Sequence, residues 1–254
     1  MLKIQRKQPP SLDSFLPEGA ETPIRDEALG APTEVKVERI ADLFGQIMET
    51  LGLDLRDDSL RETPQRFAKM YVQEIFRGLD PQQRPRIATF ENRYQYKQML
   101  VERDIRLHSC CEHHFLPILG RAHVAYIPDR HVVGLSKLNR VVDYYARRPQ
   151  VQERLTQQIA VALQQDLETP DVAVWIEASH LCVAMRGIQD EASVTVTSAY
   201  EGRFREPAIQ LQFLAAIGKV GSEAAAQTGP LAMLIQESKS SALGDKGESS
   251  DALD

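Results

Sequence analysis

The sequence predicts an α+β domain with a largely antiparallel sheet, and three observations carry that expectation. Apolar residues recur at helical spacing in several separate blocks. Strictly alternating runs fill two other regions, one near the middle of the chain and one nearer its end. The blocks follow the order helix, helix, strands, helix, helix, strands, helix, which is not the regular βαβ alternation of a parallel sheet.

Each element has its own justification. Ile40, Leu43, Phe44, Ile47 and Leu51 form one apolar stripe and are expected to face inward. Thr63-Pro64 reads as an N-cap followed by proline in the first turn. The helix it opens carries Phe67, Met70, Tyr71 and Ile75 inward, and Gly78 is placed to end it. From about Arg86 to Pro128 the period changes to that of strands, with Ala122, Val124 and Tyr126 alternating against His123, Ala125 and Ile127. Leu138, Val141, Val142 and Tyr145 mark a third helix; Leu155, Ile159, Leu163 and Leu167 mark a fourth. DVAVWIEASH and SVTVTS read as strands, and Pro207 opens a last helix that Gly218 ends.

The remainder bounds the domain and its setting. The chain has 254 residues, enough for one sizeable core. Proline and scattered charge fill residues 1–33, and Ala, Ser, Gly and acidic residues fill 219–254; both are expected to be flexible polar arms around a domain at 34–218. Within it, a helical pair is expected at 34–80 and the sheet-bearing part at 85–218. A formal net charge of −6 excludes a general nucleic-acid coat, which needs a basic excess. No apolar run approaches the ~20 residues that span a bilayer, and no apolar stretch follows the basic start as in a secretory signal. Three cysteines, two of them adjacent, are no disulfide framework, so a cytoplasmic setting is expected.

Those cysteines sit among histidines. Cys110-Cys111-Glu112-His113-His114 packs thiols, a carboxylate and imidazoles together, and His180-Leu181-Cys182 follows far downstream. Thiolate with imidazole is what zinc prefers. Cys111 and His114 can reach one ion from a turn, and Cys182 supplies a third ligand. Three protein ligands plus water is the catalytic pattern, leaving His113 and His180 for proton transfer. A closed structural zinc with His180 as fourth ligand is the competing arrangement. If the strand runs on past His180, then His180, Cys182 and Arg186 share one face. Cys110 reads as a packed bystander.

Anion-binding signals lie elsewhere. There is no P-loop and no G-x-G-x-x-G after a strand. GLSKLNR places Ser136 at an N-cap position with Lys137 and Arg140 in the first turn, where cations are unfavourable unless an anion sits between them. With Arg186, three cations would converge near the metal; a solvated basic face is the alternative. Glu153, beside Gln152, either complements a helix dipole or accepts donors from a guanine edge, and spacing leaves both open. Arg66 and Lys69 are neighbours on one helix face.

With CEHHF, GLSKLNR, RPQVQERLT, HLCVAMRG and TPQRFAKMYVQEIFRGLD on the page, the sequence resembles the GTP cyclohydrolase I family over roughly residues 35–218. The resemblance implies a tunnelling fold (T-fold): an antiparallel sheet with helices on one face, assembling into a barrel. It implies Zn2+ held by Cys111, His114 and Cys182, acidifying a water that attacks C8 of GTP. It also implies His180 as general acid and His113 as a second proton-transfer group. Ser136, Lys137, Arg140 and Arg186 would grip ribose and triphosphate, Gln152 and Glu153 would read guanine, and Arg66 and Lys69 would reach in from a neighbouring subunit of a homodecamer. The product implied is 7,8-dihydroneopterin triphosphate. A non-catalytic zinc-stabilised guanine-nucleotide module, or a T-fold enzyme acting on a related purine or pterin, is the alternative.

Overall fold

The computed structural model describes residues 21–25 and 30–220. Most of the two expected arms, including the apolar patch Leu231–Ile235, lies outside the described residues. The order of elements is the expected one. Helices α1 (Thr33–Thr50) and α2 (Thr63–Met70) precede a short strand β1 (Thr89–Glu91) and the long strands β2 (Leu100–Cys111) and β3 (Pro117–Tyr126). Then come β4 (His131–Val133), α3 (Leu135–Ala146), β5 (Pro149–Gln150), α4 (Gln152–Leu167) and β6 (Val172–His180). A helical turn α5 (Leu181–Ala184), strand β7 (Thr195–Tyr200) and helix α6 (Pro207–Ala216) complete the set.

The main sheet runs β5-β2-β3-β6-β7, antiparallel except where β5 joins β2 in parallel. β1 and β4 form a separate two-stranded piece. Alternation along the strands decides which side each helix covers. Val124, Val174 and Ile176 point at α3 and α4 and, with Leu138, Val142, Leu155 and Ile159, make the main core. Ala125 and Ala173 point the other way and pack with Phe213 and Ile217. The helices therefore do not all lie on one face: α6 and the residue after it cover part of the opposite side. This double burial explains why His123, Ala125 and Ile127 are as enclosed as their neighbours.

The helical pair departs from expectation in two ways. The buried face of α1 is Val37, Ala41, Gly45 and Met48, whereas Leu43, Ile47 and Leu51 are 44%, 52% and 74% exposed. The small residues are chosen for proximity, since Gly45 sits against Leu55 and Pro64. Second, Thr63 is already helical, with Glu62 before it as cap and Pro64 in the first turn. After Met70 the backbone widens into a π-turn over Tyr71–Ile75 and tightens into a 3₁₀ turn over Arg77–Leu79. Gly78 lies inside that turn instead of capping a helix. Its amide donates to Arg147 O at 2.9 Å, and a Cβ here would collide with the carbonyl oxygens of Tyr144 and Arg147. The glycine thus clamps the helical pair to the end of α3.

Candidate metal centre and active site

β2 ends in a tight turn that presents the predicted ligands. Cys111 N donates to Leu116 O at 2.8 Å, Phe115 N donates back to Cys111 O at 2.8 Å, and Glu112 N donates to Gln150 O at 3.0 Å. Phe115 closes the turn at φ +55°, a left-handed conformation unusual for an aromatic residue. Its ring is the last of a ladder, Phe44–Phe67–Tyr71–Phe76–Phe115, that ties the helical pair to the turn. β3 then carries the chain away and pairs Ile118 with His180, which brings the end of β6 beside the turn.

The ligand atoms of Cys111, His114 and Cys182 lie within 4.8 Å of one another. Two soft sulfurs and one borderline imidazole at that spacing fit a tetrahedral zinc with one position left over. Arg186 Nη1 lies 2.7 Å from His114 Nε2. A guanidinium only donates, so that nitrogen carries a lone pair, as a metal ligand must. Burial raises the Cys182 thiol pKa, and the adjacent Cys111 raises it further; a bound cation reverses that preference. Cys110 stays apart from this group. It is buried, and that burial foremost pushes its thiol up to about 11, leaving it a poor nucleophile.

The route to Cys182 differs from the expected one. β6 stops at His180, and Cys182 lies in the helical turn Leu181–Ala184. Shared strand parity therefore does not align His180, Cys182 and Arg186; the helical turn brings Cys182 into the cluster, and Arg186 reaches His114 from beyond it.

His113 and His180 adjoin the ligands in the chain, one just before His114 and the other two residues before Cys182. His113 Nδ1 is 3.8 Å from Cys111 Sγ, and its ring is exposed. His180 Nε2 is 2.8 Å from Gln152 Oε1. That oxygen only accepts, so Nε2 bears the proton and Nδ1 keeps its lone pair. Burial of the ring lowers the His180 pKa, opposed by nearby Glu153. Gln152 is 1% exposed and its amide nitrogen donates to Ile176 O, Thr195 O and Thr197 Oγ1. Both ends of this side chain are engaged inside the fold, its oxygen on the His180 ring and its nitrogen on the sheet, an arrangement that differs from the expected guanine contact. Glu153, one residue on, is exposed.

Three kinds of observation now stand together: an antiparallel sheet, a Cys-His-Cys cluster at its end and two histidines beside that cluster. Residues 40–218 match the family model for GTP cyclohydrolase I. The chain belongs to the GTP cyclohydrolase I family. Curated relatives described as GTP cyclohydrolase 1 agree. One from Flavobacterium johnsoniae is 54% identical over 202 residues, covering 80% of this chain and 91% of the relative. One from Aeromonas hydrophila is 54% identical over 201 residues, 79% of this chain and 91% of the relative. One from Vibrio cholerae is 52% identical over 203 residues, 80% and 93% respectively.

The other residues expected at the site stand apart from the metal cluster. Gly134, not Ser136, is the residue that caps α3, and Ser136 and Arg140 are exposed on its first turns beside the half-exposed Lys137. The C-terminal end of α3 leads into Pro149 and Gln150, which pair with Cys110 and Cys111. Twelve helical residues span about 18 Å, so the α3 N-terminus sits roughly that far from the metal turn. Val133, just before it, donates to Tyr126 Oη at the other end of the sheet. One chain therefore does not gather Lys137 and Arg140 around its own ligands; only Arg186 is there. Arg66, on α2, bonds back to Ser59 O and Thr63 Oγ1, and Lys69 is exposed. Sequence reasoning missed Glu112 and Arg154. The ion pair they form sits directly behind His113, and its only sequence signal is a carboxylate inside the cysteine–histidine cluster. No helix among the described residues is long and apolar enough to cross a membrane.

Proposed function

We propose that this chain hydrolyses GTP at C8 of the purine, releases formate and rearranges the ribose to give 7,8-dihydroneopterin triphosphate, opening tetrahydrofolate and pterin biosynthesis. The observation that carries the proposal is the convergence of Cys111, His114 and Cys182 with His113 and His180 beside them. Those three residues would hold zinc, which supplies Lewis acidity and lowers the pKa of water. His180, its ring fixed through Nε2 by Gln152, has Nδ1 free to take up the proton released as water adds to C8 and to pass it to the purine nitrogen as the five-membered ring opens. His113 assists ring opening and the later ribose proton transfers. Glu153 accepts two N–H groups from the guanine edge, while Ser136, Lys137, Arg140 and Arg186 hold the ribose and triphosphate. Arg66 and Lys69 add charge from a neighbouring subunit.

This division of labour requires an assembly, and we assign the chain to a homodecamer in which sheets join into a barrel. Three features support it. Leu43, Ile47 and Leu51 leave an apolar stripe on the outer side of α1. β7 is an edge strand of the main sheet, with exposed Val196 on it and exposed Val194 just before it, and edge strands invite pairing. The distance from α3's first turn to the ligands is bridged when one subunit's cations meet another's metal. Free thiols at Cys110, Cys111 and Cys182 suit a reducing, cytoplasmic setting.

Incubating the zinc-loaded protein with GTP and with GMP tests the reading. Formate and a fluorescent oxidised pterin are expected from GTP, with GMP a far poorer substrate. Tight GTP binding without formate would establish a binding module instead.

A further inference from the structure

We infer that Glu112 and Arg154 are positioning residues for His113. This rests on the proposed part of His113 in turnover, and it extends that part to a pair of side chains with no assigned role.

Glu112 lies between the ligand-bearing turn and α4. One of its carboxylate oxygens accepts from Arg154 Nη2, and the other lies 3.7 Å from His113 Nε2. The second nitrogen of that ring, Nδ1, faces Cys111 Sγ at 3.8 Å. His113 thus stands between a carboxylate and a metal-ligating sulfur, although 63% of its side chain is exposed. An exposed imidazole samples several rotamers unless something fixed holds it. Glu112 is fixed. Its backbone amide donates to Gln150 O, and Arg154 restrains its side chain.

Arg154 is itself immobilised. Its side chain is 10% exposed; Nε donates to Gln150 Oε1 at 3.1 Å, and Nη2 also reaches Pro149 O at 3.2 Å. Gln150 and Gln158 are wholly buried and bonded to each other, and Gln158 Nε2 donates to Thr22 Oγ1. The chain of bonds Thr22–Gln158–Gln150–Arg154–Glu112 therefore ends on the histidine. A desolvated ion pair of this kind is costly to place and gives little net stability. Its location behind a proton-transfer group accounts for it: the carboxylate orients the ring, as outer partners do for histidines at metal sites.

A double-mutant cycle with Glu112→Gln and His113→Ala tests this. Glu112→Gln keeps shape and still accepts from Arg154 but loses the charge facing His113. Its kcat is expected to fall about 10–100-fold, with KM for GTP within about twofold and zinc content unchanged. On the His113→Ala background the same change should cost nothing further. Arg154→Lys should show a smaller fall with the same non-additivity. Imidazole ¹⁵N spectra should show the His113 proton residing on Nε2 in the parent protein and shifting in Glu112→Gln. An equal fall on both backgrounds, a loss of zinc, or an unchanged kcat in Glu112→Gln overturns the inference alone. Full activity of His113→Ala overturns the role of His113 and the inference with it.

Discussion

His180 is held by one acceptor, Gln152 Oε1, and that acceptor is held by three bonds to the sheet. Replacing Gln152 by Ala should slow turnover without releasing zinc, because it frees the ring and leaves the ligands in place. His180→Ala should bind zinc normally and lose about 10²–10⁴-fold in kcat, read by metal analysis beside steady-state kinetics. Near-normal turnover of His180→Ala would remove it from the mechanism. At this scale much was legible in advance. Cys111 and His114 sit in one turn, so their closeness follows from local spacing alone. By resemblance Gln152 and Glu153 read together as guanine contacts; helical rotation turns Gln152 inward and leaves Glu153 exposed, and spacing alone does not show which one faces the sheet. The pairing of Glu112 with Arg154 was not legible, because the two lie 42 residues apart in the chain.

The elements hold the site by close approach. Gly78 gives the 3₁₀ turn room to sit on the carbonyls of Tyr144 and Arg147, and Arg148 Nε donates to Gly78 O from the same side. Gly78→Ala should cost about 1–3 kcal/mol by overpacking, measured by denaturant unfolding, whereas Gly134→Ala meets no neighbouring atom. His123 offers a pH test of the sheet. It is 3% exposed, and its Nδ1 accepts from Asp104 N at the irregularity in β2. Burial above all lowers its pKa in the folded state. The unfolded chain therefore binds a proton first, near pH ~6.5. Stability from this group is present above that pH and lost as pH falls towards the folded value. Between pH 7.5 and 5.5 the parent protein should lose more unfolding free energy than His123→Gln; equal losses would show that His123 plays no part. Strands and helix order were readable because alternation and the 3.6-residue period differ plainly. The inward side of α1 was not. Val37, Ala41, Gly45 and Met48 make the buried face, with Ile40 packed against it and Phe44 stacked on Phe67, so the stripe is rotated from the one that Leu43, Ile47 and Leu51 suggest.

For the whole molecule, the decisive feature is the separation between α3's first turn and the metal turn. GLSKLNR reads as an anion-binding motif in the proposed function, but a sequence motif does not say which copy of the chain supplies the metal. The separation predicts complementation. Lys137→Ala and Cys182→Ala homo-oligomers should each be nearly inactive, and mixed assemblies should regain part of the activity. Mixtures as inactive as their parents would place the whole site in one chain. Leu43→Asp with Ile47→Asp should likewise shrink the assembly and lower turnover together, followed by light scattering and formate release. The central claim is that Cys111, His114 and Cys182 make one zinc site on which opening of the purine depends. Titrating zinc into fully stripped protein while measuring bound metal and formate from GTP tests it most directly. Activity is predicted to rise in proportion to occupancy and to saturate at one zinc per chain, with Cys182→Ala failing on both counts. Undiminished formate release from the stripped protein would contradict the account.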